Sequence, residues 1–172
     1  MQFIDSHVHI WTSDETVYKR RESYPIPGGI DTSKIEINPK HFPPEAILSM
    51  AEPFGINRIC LVQMSFYGTD NNYITDAIKK YPESFRGAAY LDPDMQHIED
   101  EMNDLLHKGI TGFRLVPEDR FVTTWLQKSG YDSMFATATE TKQALSCLVN
   151  TDALDEIERM SRRHPKTTII ID

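Results

Sequence analysis

Residues 3–11 read Phe3-Ile-Asp-Ser-His-Val-His-Ile-Trp11, a short apolar run interrupted by polar residues with alternating character. That pattern predicts a β-strand beginning almost at the first residue. Side chains on a strand alternate between faces, so Ile4, Val8 and Ile10 share one face and Asp5, His7 and His9 the other. The first face suits packing against helices. The second brings polar groups into a hydrophobic segment, where burial is costly unless something pairs with them. Two imidazoles two residues apart can direct ring nitrogens at one point, and a divalent metal is one occupant of such a point. A strand with one wet face and two incidental histidines is the plainer reading of the same residues.

Working outward, the stretch from Thr12 to Pro43 lacks a regular pattern and contains Pro25-Ile-Pro-Gly-Gly29. A connection of that length beside the histidine strand is expected to cover a substrate. From Pro44 onward the pattern becomes regular. Helical spacing over Pro44–Phe54, Asn71–Tyr81, Ile98–Lys108, Asp132–Lys142 and Asp152–His164 alternates with strand-like runs at Ile56–Met64, Phe85–Leu91, Ile110–Val116, Ala144–Val149 and Thr167–Ile171. Strand, helix, strand with short connections means parallel strands joined by right-handed crossovers. An open nucleotide-binding sheet would show a glycine-rich turn after its first strand, where this chain has His9-Ile-Trp-Thr-Ser13. Polar residues at the carboxyl ends of several strands suit a (β/α)8 barrel, whose active site is built there. Six strands fall short of eight, so the expectation is one α/β barrel-type domain over residues 1–172, incomplete and cut before its last strands. A homo-oligomer or a missing carboxyl-terminal part would then close the sheet.

The 172 residues carry a formal charge of -8 and no basic block, which argues against nucleic acid or an anionic membrane surface as partner. Cys60 and Cys147 sit in apolar runs and read as reduced thiols, and the cytoplasm is the expected compartment.

Five segments together resemble the amidohydrolase-related, metal-dependent barrel hydrolases, the group that includes 2-pyrone-4,6-dicarboxylate lactonase and muconolactone hydrolases. They are Ile4-Asp-Ser-His-Val-His-Ile-Trp11, Leu61-Val-Gln-Met-Ser-Phe-Tyr-Gly-Thr-Asp-Asn71, Phe85-Arg-Gly-Ala-Ala-Tyr-Leu-Asp-Pro93, Gly109-Ile-Thr-Gly-Phe-Arg-Leu115 and Ile169-Ile-Ile-Asp172. The resemblance implies that His7 and His9 face a metal, zinc foremost, or a substrate oxygen directly. It also implies a histidine after Asp172 and an aspartate base on strand eight, both beyond this chain. Decarboxylase-like relatives carry a strand-five histidine, whereas Ala144–Asn150 offers only Ser146, Cys147 and Asn150, which points to the lactonase side.

Arg114 shares a face with Gly112, and inside a barrel its guanidinium would meet a substrate carboxylate or an internal acid such as Asp5. Ser65 and Tyr67 share a parity after strand two and could bond a substrate carboxylate or carbonyl, or merely cap the loop. Arg120, in the loop after strand four, reads as a weaker second anion contact or simply a solvated residue, Asp70 as a cap for the following helix, and His107 and His164 suit the negative ends of theirs. The expected function is hydrolysis of a lactone, ester or amide in a small carboxylated compound, His7 and His9 polarising the carbonyl. The rivals are a metal-dependent decarboxylase, a non-catalytic piece of an assembly, and a barrel phosphoesterase or nuclease, which would want more acidic or histidine ligands.

Overall fold

A computed structural model describes residues 3–22, 24, 35–117 and 123–172. Six strands, β1 (Phe3–Val8), β2 (Ile56–Val62), β3 (Phe85–Ala89), β4 (Ile110–Leu115), β5 (Ala144–Cys147) and β6 (Thr168–Ile171), form one sheet in sequential order. Every neighbouring pair is parallel. Five helices intervene: α1 (Pro44–Ala51), α2 (Asn72–Lys80), α3 (Ile98–His107), α4 (Ser129–Thr141) and α5 (Leu154–Arg163). A doubly wound sheet reverses its strand order at a switch point. None occurs here, so each crossover adds a strand on the same side and the sheet curls as a barrel does.

The core lies between the sheet's convex face and the helices. Ile59 and Leu61 of β2, Phe85 and Ala89 of β3, Phe113 and Leu115 of β4, and Leu145 and Cys147 of β5 point outward. They pack in one buried cluster with Ile74, Met102, Leu105, Met134, Phe135 and Met160 from the helices. Burial of aliphatic and aromatic side chains at this density, about 1.5–3 kcal/mol each, holds the layers together. The alternate residues therefore face the concave side, and Arg114 and Ser146 lie abreast there in register.

Among the described residues β1 pairs only with β2 and β6 only with β5. Phe3 and Ile4 at one edge and Ile170 and Ile171 at the other are exposed, as the reading of an incomplete barrel expects.

Several boundaries differ from the sequence expectation. β1 stops at Val8, and Trp11 instead forms an isolated antiparallel bridge with Phe42 that ties together the ends of the long connection. Helix α4 starts a turn early, at Ser129, because Gly130 lets it approach the loop after β3. Asp152 lies in a 3-10 turn and makes no capping bond to α5. Gly109 does end α3, its φ of 89° placing it in the left-handed region. Asp70 stands one residue before the N-cap position, Asn71, and its Oδ1 accepts the N–H of Asn72, the first residue of α2, at 3.1 Å.

A Cβ added at Gly130 would stand 1.6 Å from the Pro93 carbonyl oxygen, a backbone atom that cannot swing aside. Gly130→Ala is expected to lower stability by about 1–3 kcal/mol or more. A urea titration checks this through a lower midpoint with an unchanged m-value.

Candidate active site

The concave face gathers polar groups at the carboxyl ends of β1, β2, β4 and β6. His9 follows β1, and its Nδ1 lies 2.7 Å from the Val62 carbonyl oxygen. A carbonyl only accepts, so the proton sits on Nδ1 and the Nε2 lone pair is free to face inward. His7 stands on β1 itself, its Nδ1 3.1 Å from Oδ1 of Asp172, just past β6. That carboxylate likewise fixes the proton on Nδ1. The two Nε2 atoms then meet at 3.1 Å, with their rings edge to face.

Two lone pairs at that distance repel unless a positive species lies between them. A proton on one Nε2, donated to the other, satisfies the pair. So does a metal ion, since two imidazole nitrogens bound at about 2.0–2.1 Å to one ion lie about 3.0–3.4 Å apart. The carboxylate behind His7 is the outer partner that metal-ligating histidines ordinarily have. The pair fits as two ligands of an ion. Among the described residues, no group of three or more His, Cys, Asp or Glu is arranged to hold one.

Arg114 reaches across the same face. Its Nη2 lies 3.5 Å from Asp172 Oδ2, an ion pair by distance that lacks hydrogen-bond alignment, and its Nη1 donates to the Gln63 carbonyl at 3.3 Å. The acid it meets is Asp172, and Asp5 forms no ion pair with it. Arg114 Nε, Asp172 Oδ2 and the Gln63 side-chain oxygen are buried without a hydrogen-bond partner among the described residues. Such atoms are costly in a closed core and useful where a polar ligand arrives.

Burial is the main influence on His9 and lowers its pKa below the usual 6.5; the Val62 bond opposes this, Arg114 and His7 reinforce it, and Asp172 opposes it weakly. Burial also lowers the Arg114 pKa, partly offset by Asp172; a guanidinium keeps its charge even so.

Ser65 and Tyr67 occupy a 3-10 turn, where residues two apart no longer share a side, so the parity expected of an extended strand is lost. Tyr67 is 2% exposed, its hydroxyl accepting the Thr12 N–H at 3.1 Å and its ring packed against Phe66 and Tyr73. Ser65 is half-buried on the same turn. Arg120 lies outside the described residues. His107 bonds the Asn103 carbonyl of its own helix at 2.8 Å, whereas His164 turns to Asp132 of α4 at 2.8 Å. Sequence reasoning gave Asp172 no role in the site. Its signal was there: the one polar residue ending the apolar run Thr168-Ile-Ile-Ile171.

The family model described as amidohydrolase matches residues 4–172. The chain belongs to the amidohydrolase family. The fold is shared with a protein of Acinetobacter baumannii described as a probable 2-pyrone-4,6-dicarboxylic acid hydrolase and holding citric acid (TM-score 0.79, 19% identity, 100% of this chain and 58% of that one). It is also shared with a zinc-bound amidohydrolase of Burkholderia multivorans (TM-score 0.77, 15% identity, 100% and 57%). A third is the manganese-bound 5-carboxyvanillate decarboxylase of Novosphingobium aromaticivorans (TM-score 0.66, 14% identity, 99% and 65%). The chain thus spans less than two thirds of the length of each of these proteins. Among the described residues no helix is long and apolar enough to cross a membrane.

Because the His9 pKa is lowered in the fold, the unfolded chain binds this proton at higher pH. His9 therefore contributes stability that is present above pH 6.5 and lost as pH falls from there through its folded value. NMR titration of the ring protons is expected to place the His9 midpoint below 6.5, and Val62 cannot be probed by side-chain change because it acts through its carbonyl.

Proposed function

We propose that this face binds the carbonyl of a small carboxylated lactone or related ester and promotes its hydrolysis, His7 and His9 polarising that carbonyl. The observation that carries the reading is the convergence of two Nε2 atoms at 3.1 Å with both Nδ1 protons committed elsewhere. A carbonyl oxygen placed at that point would meet whatever positive species the pair holds. As water adds, negative charge grows on the oxygen, and a preformed electropositive point is worth most at that stage.

Each neighbour has a definite task. Asp172 holds the His7 ring in one tautomer and keeps the Nε2 aimed inward. The Val62 carbonyl does the same for His9, and the lowered pKa keeps that imidazole neutral near pH 7. Arg114, kept charged beside Asp172, would take a substrate carboxylate through its unpaired Nε edge. Ser65 and Arg120 are proposed as further carboxylate contacts; Tyr67 acts by fixing the chain after β1 through Thr12. A divalent ion, with zinc the first candidate, would be held by His7 and His9 through Nε2 and would supply Lewis-acid polarisation. On β5 the side chain facing Arg114 is Ser146, which supports the hydrolase over a decarboxylase needing a ligand there.

The test measures turnover of a panel of carboxylated lactones, with metal content, on the full chain and on His7→Ala. Turnover should fall by about a hundredfold or more in the variant, the usual cost of losing one oxyanion-stabilising group. Asp172→Asn, which keeps the shape but can present the wrong group to Nδ1, should fall less and should lose metal affinity by about tenfold or more. Unchanged turnover in His7→Ala would refute the reading. Release of carbon dioxide in place of ring opening would select the decarboxylase.

A further inference from the structure

The connection from β4 to α4 reaches its helix through a turn, Thr124-Trp-Leu-Gln127, closed by the Gln127 N–H donating to the Thr124 carbonyl at 3.0 Å. The middle of a surface turn is ordinarily polar and wet. Here Trp125 and Leu126 occupy it, 4% and 1% exposed, in the same buried cluster as Ala153, Ile157 and Met160. The turn is thus driven inward against the start of α5, which belongs to the next strand–helix unit.

Glu156, in the first turn of α5 and 6% exposed, is the polar anchor beneath it. Its Oε1 accepts from the Gln127 amide at 3.2 Å and from Arg159 Nε at 3.1 Å, and its Oε2 accepts from Arg159 Nη2 at 2.9 Å. The same Nη2 donates to the Leu126 carbonyl at 3.1 Å, and the Trp125 indole N–H donates to the Ala153 carbonyl at 3.3 Å. Burial pushes the Glu156 carboxyl upward, yet the bonds from Arg159 and Gln127 outweigh it and hold the group below its usual range. A buried ion pair yields little net stability over apolar side chains of the same volume. What it supplies is direction, because a forked guanidinium on a fixed carboxylate accepts one placement of the turn.

The outer side of that turn belongs to the mouth. Thr124 and Gln127 line a cavity of about 730 Å3 beside Val116, which follows β4 and its inward Arg114. We infer that Glu156 is a positioning residue: it touches no substrate, and through Arg159 and Gln127 it holds the Thr124–Gln127 turn as a fixed wall of the mouth. The inference rests on the proposed function for calling the ligand at that mouth a substrate. A wall that must first settle lowers affinity by the fraction of molecules that have it in place, and it leaves the chemical step as it was.

The test uses the full chain carrying Trp11→Phe, which leaves Trp125 as its one indole. Glu156→Ala should shift the Trp125 emission to the red as the ring leaves its buried seat, with the far-ultraviolet circular dichroism of the parent. Its KM for the carboxylated lactones should rise by about tenfold or more, the cost of losing charged hydrogen bonds, with kcat within about twofold. Gln127→Ala and Arg159→Lys, at an exposed and a half-buried position, carry the test where Glu156→Ala does not fold, and should give the same changes in smaller measure. Arg162→Ala, which removes the exposed pair with Glu158 on the same helix, should move neither emission nor KM. An unshifted emission overturns the inference, and so does a KM that stays put while the emission shifts. If the parent opens no lactone, the reading of the histidine pair fails and the emission decides alone: a shift upholds the hold of Glu156 on the turn, and no shift ends it.

Discussion

The contact between His7 and Asp172 is the constraint on which the rest depends. His7 stands on β1 and Asp172 just past β6, strands that do not pair with each other among the described residues, yet the two side chains meet at 3.1 Å. Only a sheet that curls through six parallel strands in sequence brings its two edges within reach. The same carboxylate also faces Arg114 of β4, so one acid gathers groups from three strands onto one point of the concave face. Breaking the pairing would leave a buried guanidinium and a half-buried carboxylate uncompensated, which is costly. The outward packing of Phe85, Phe113 and Leu145 forces that gathering, because it commits the opposite parity of every strand to the inside.

Much of this was legible in the sequence because it follows from period two. Alternation on residues 3–11 grouped His7 with His9, whose rings meet, whereas Asp5 does not follow them, because β1 shifts register against β2 between Asp5 and Val8. The β–α alternation gave six strands and a barrel-type sheet, matched by the observed order. What failed were inferences that carried strand parity past the end of a strand. Beyond Val62 the chain turns into a 3-10 helix, so Ser65 and Tyr67 separate, and Tyr67 is drawn down into a cluster of aromatic rings. Local spacing also cannot say which acid an inward arginine finds. Asp5 and Asp172 are equal candidates along the chain, and only closure of the sheet decides between them.

The buried amide network at the end of β2 was likewise invisible to pattern reading. Gln63 donates to the Asp70 carbonyl at 2.7 Å and to Asn71 Oδ1 at 3.2 Å, while Asn71 exchanges bonds with the Tyr90 backbone at 2.9 and 3.0 Å. Isolated glutamine and asparagine residues carry no periodic signal, yet these two lock the ends of β2 and β3 to the start of α2. They also hold the Gln63 carbonyl that receives Arg114. A site is positioned this way by residues that never touch the reacting atoms.

Charge explains why the cations at the mouth have to be so carefully seated. The chain as a whole carries -8, so its long-range field repels an anionic ligand. At physiological ionic strength that field decays over about 8 Å, and recognition passes to whatever charge stands within one screening length. Arg114, buried and braced by Asp172 and the Gln63 carbonyl, is such a charge on the histidine face. The neutral state favoured for His9 adds no positive charge of its own, which leaves the histidine pair free to gather one proton or one ion. The site's polarity is therefore local and built from fixed groups, in a protein whose net charge points the other way.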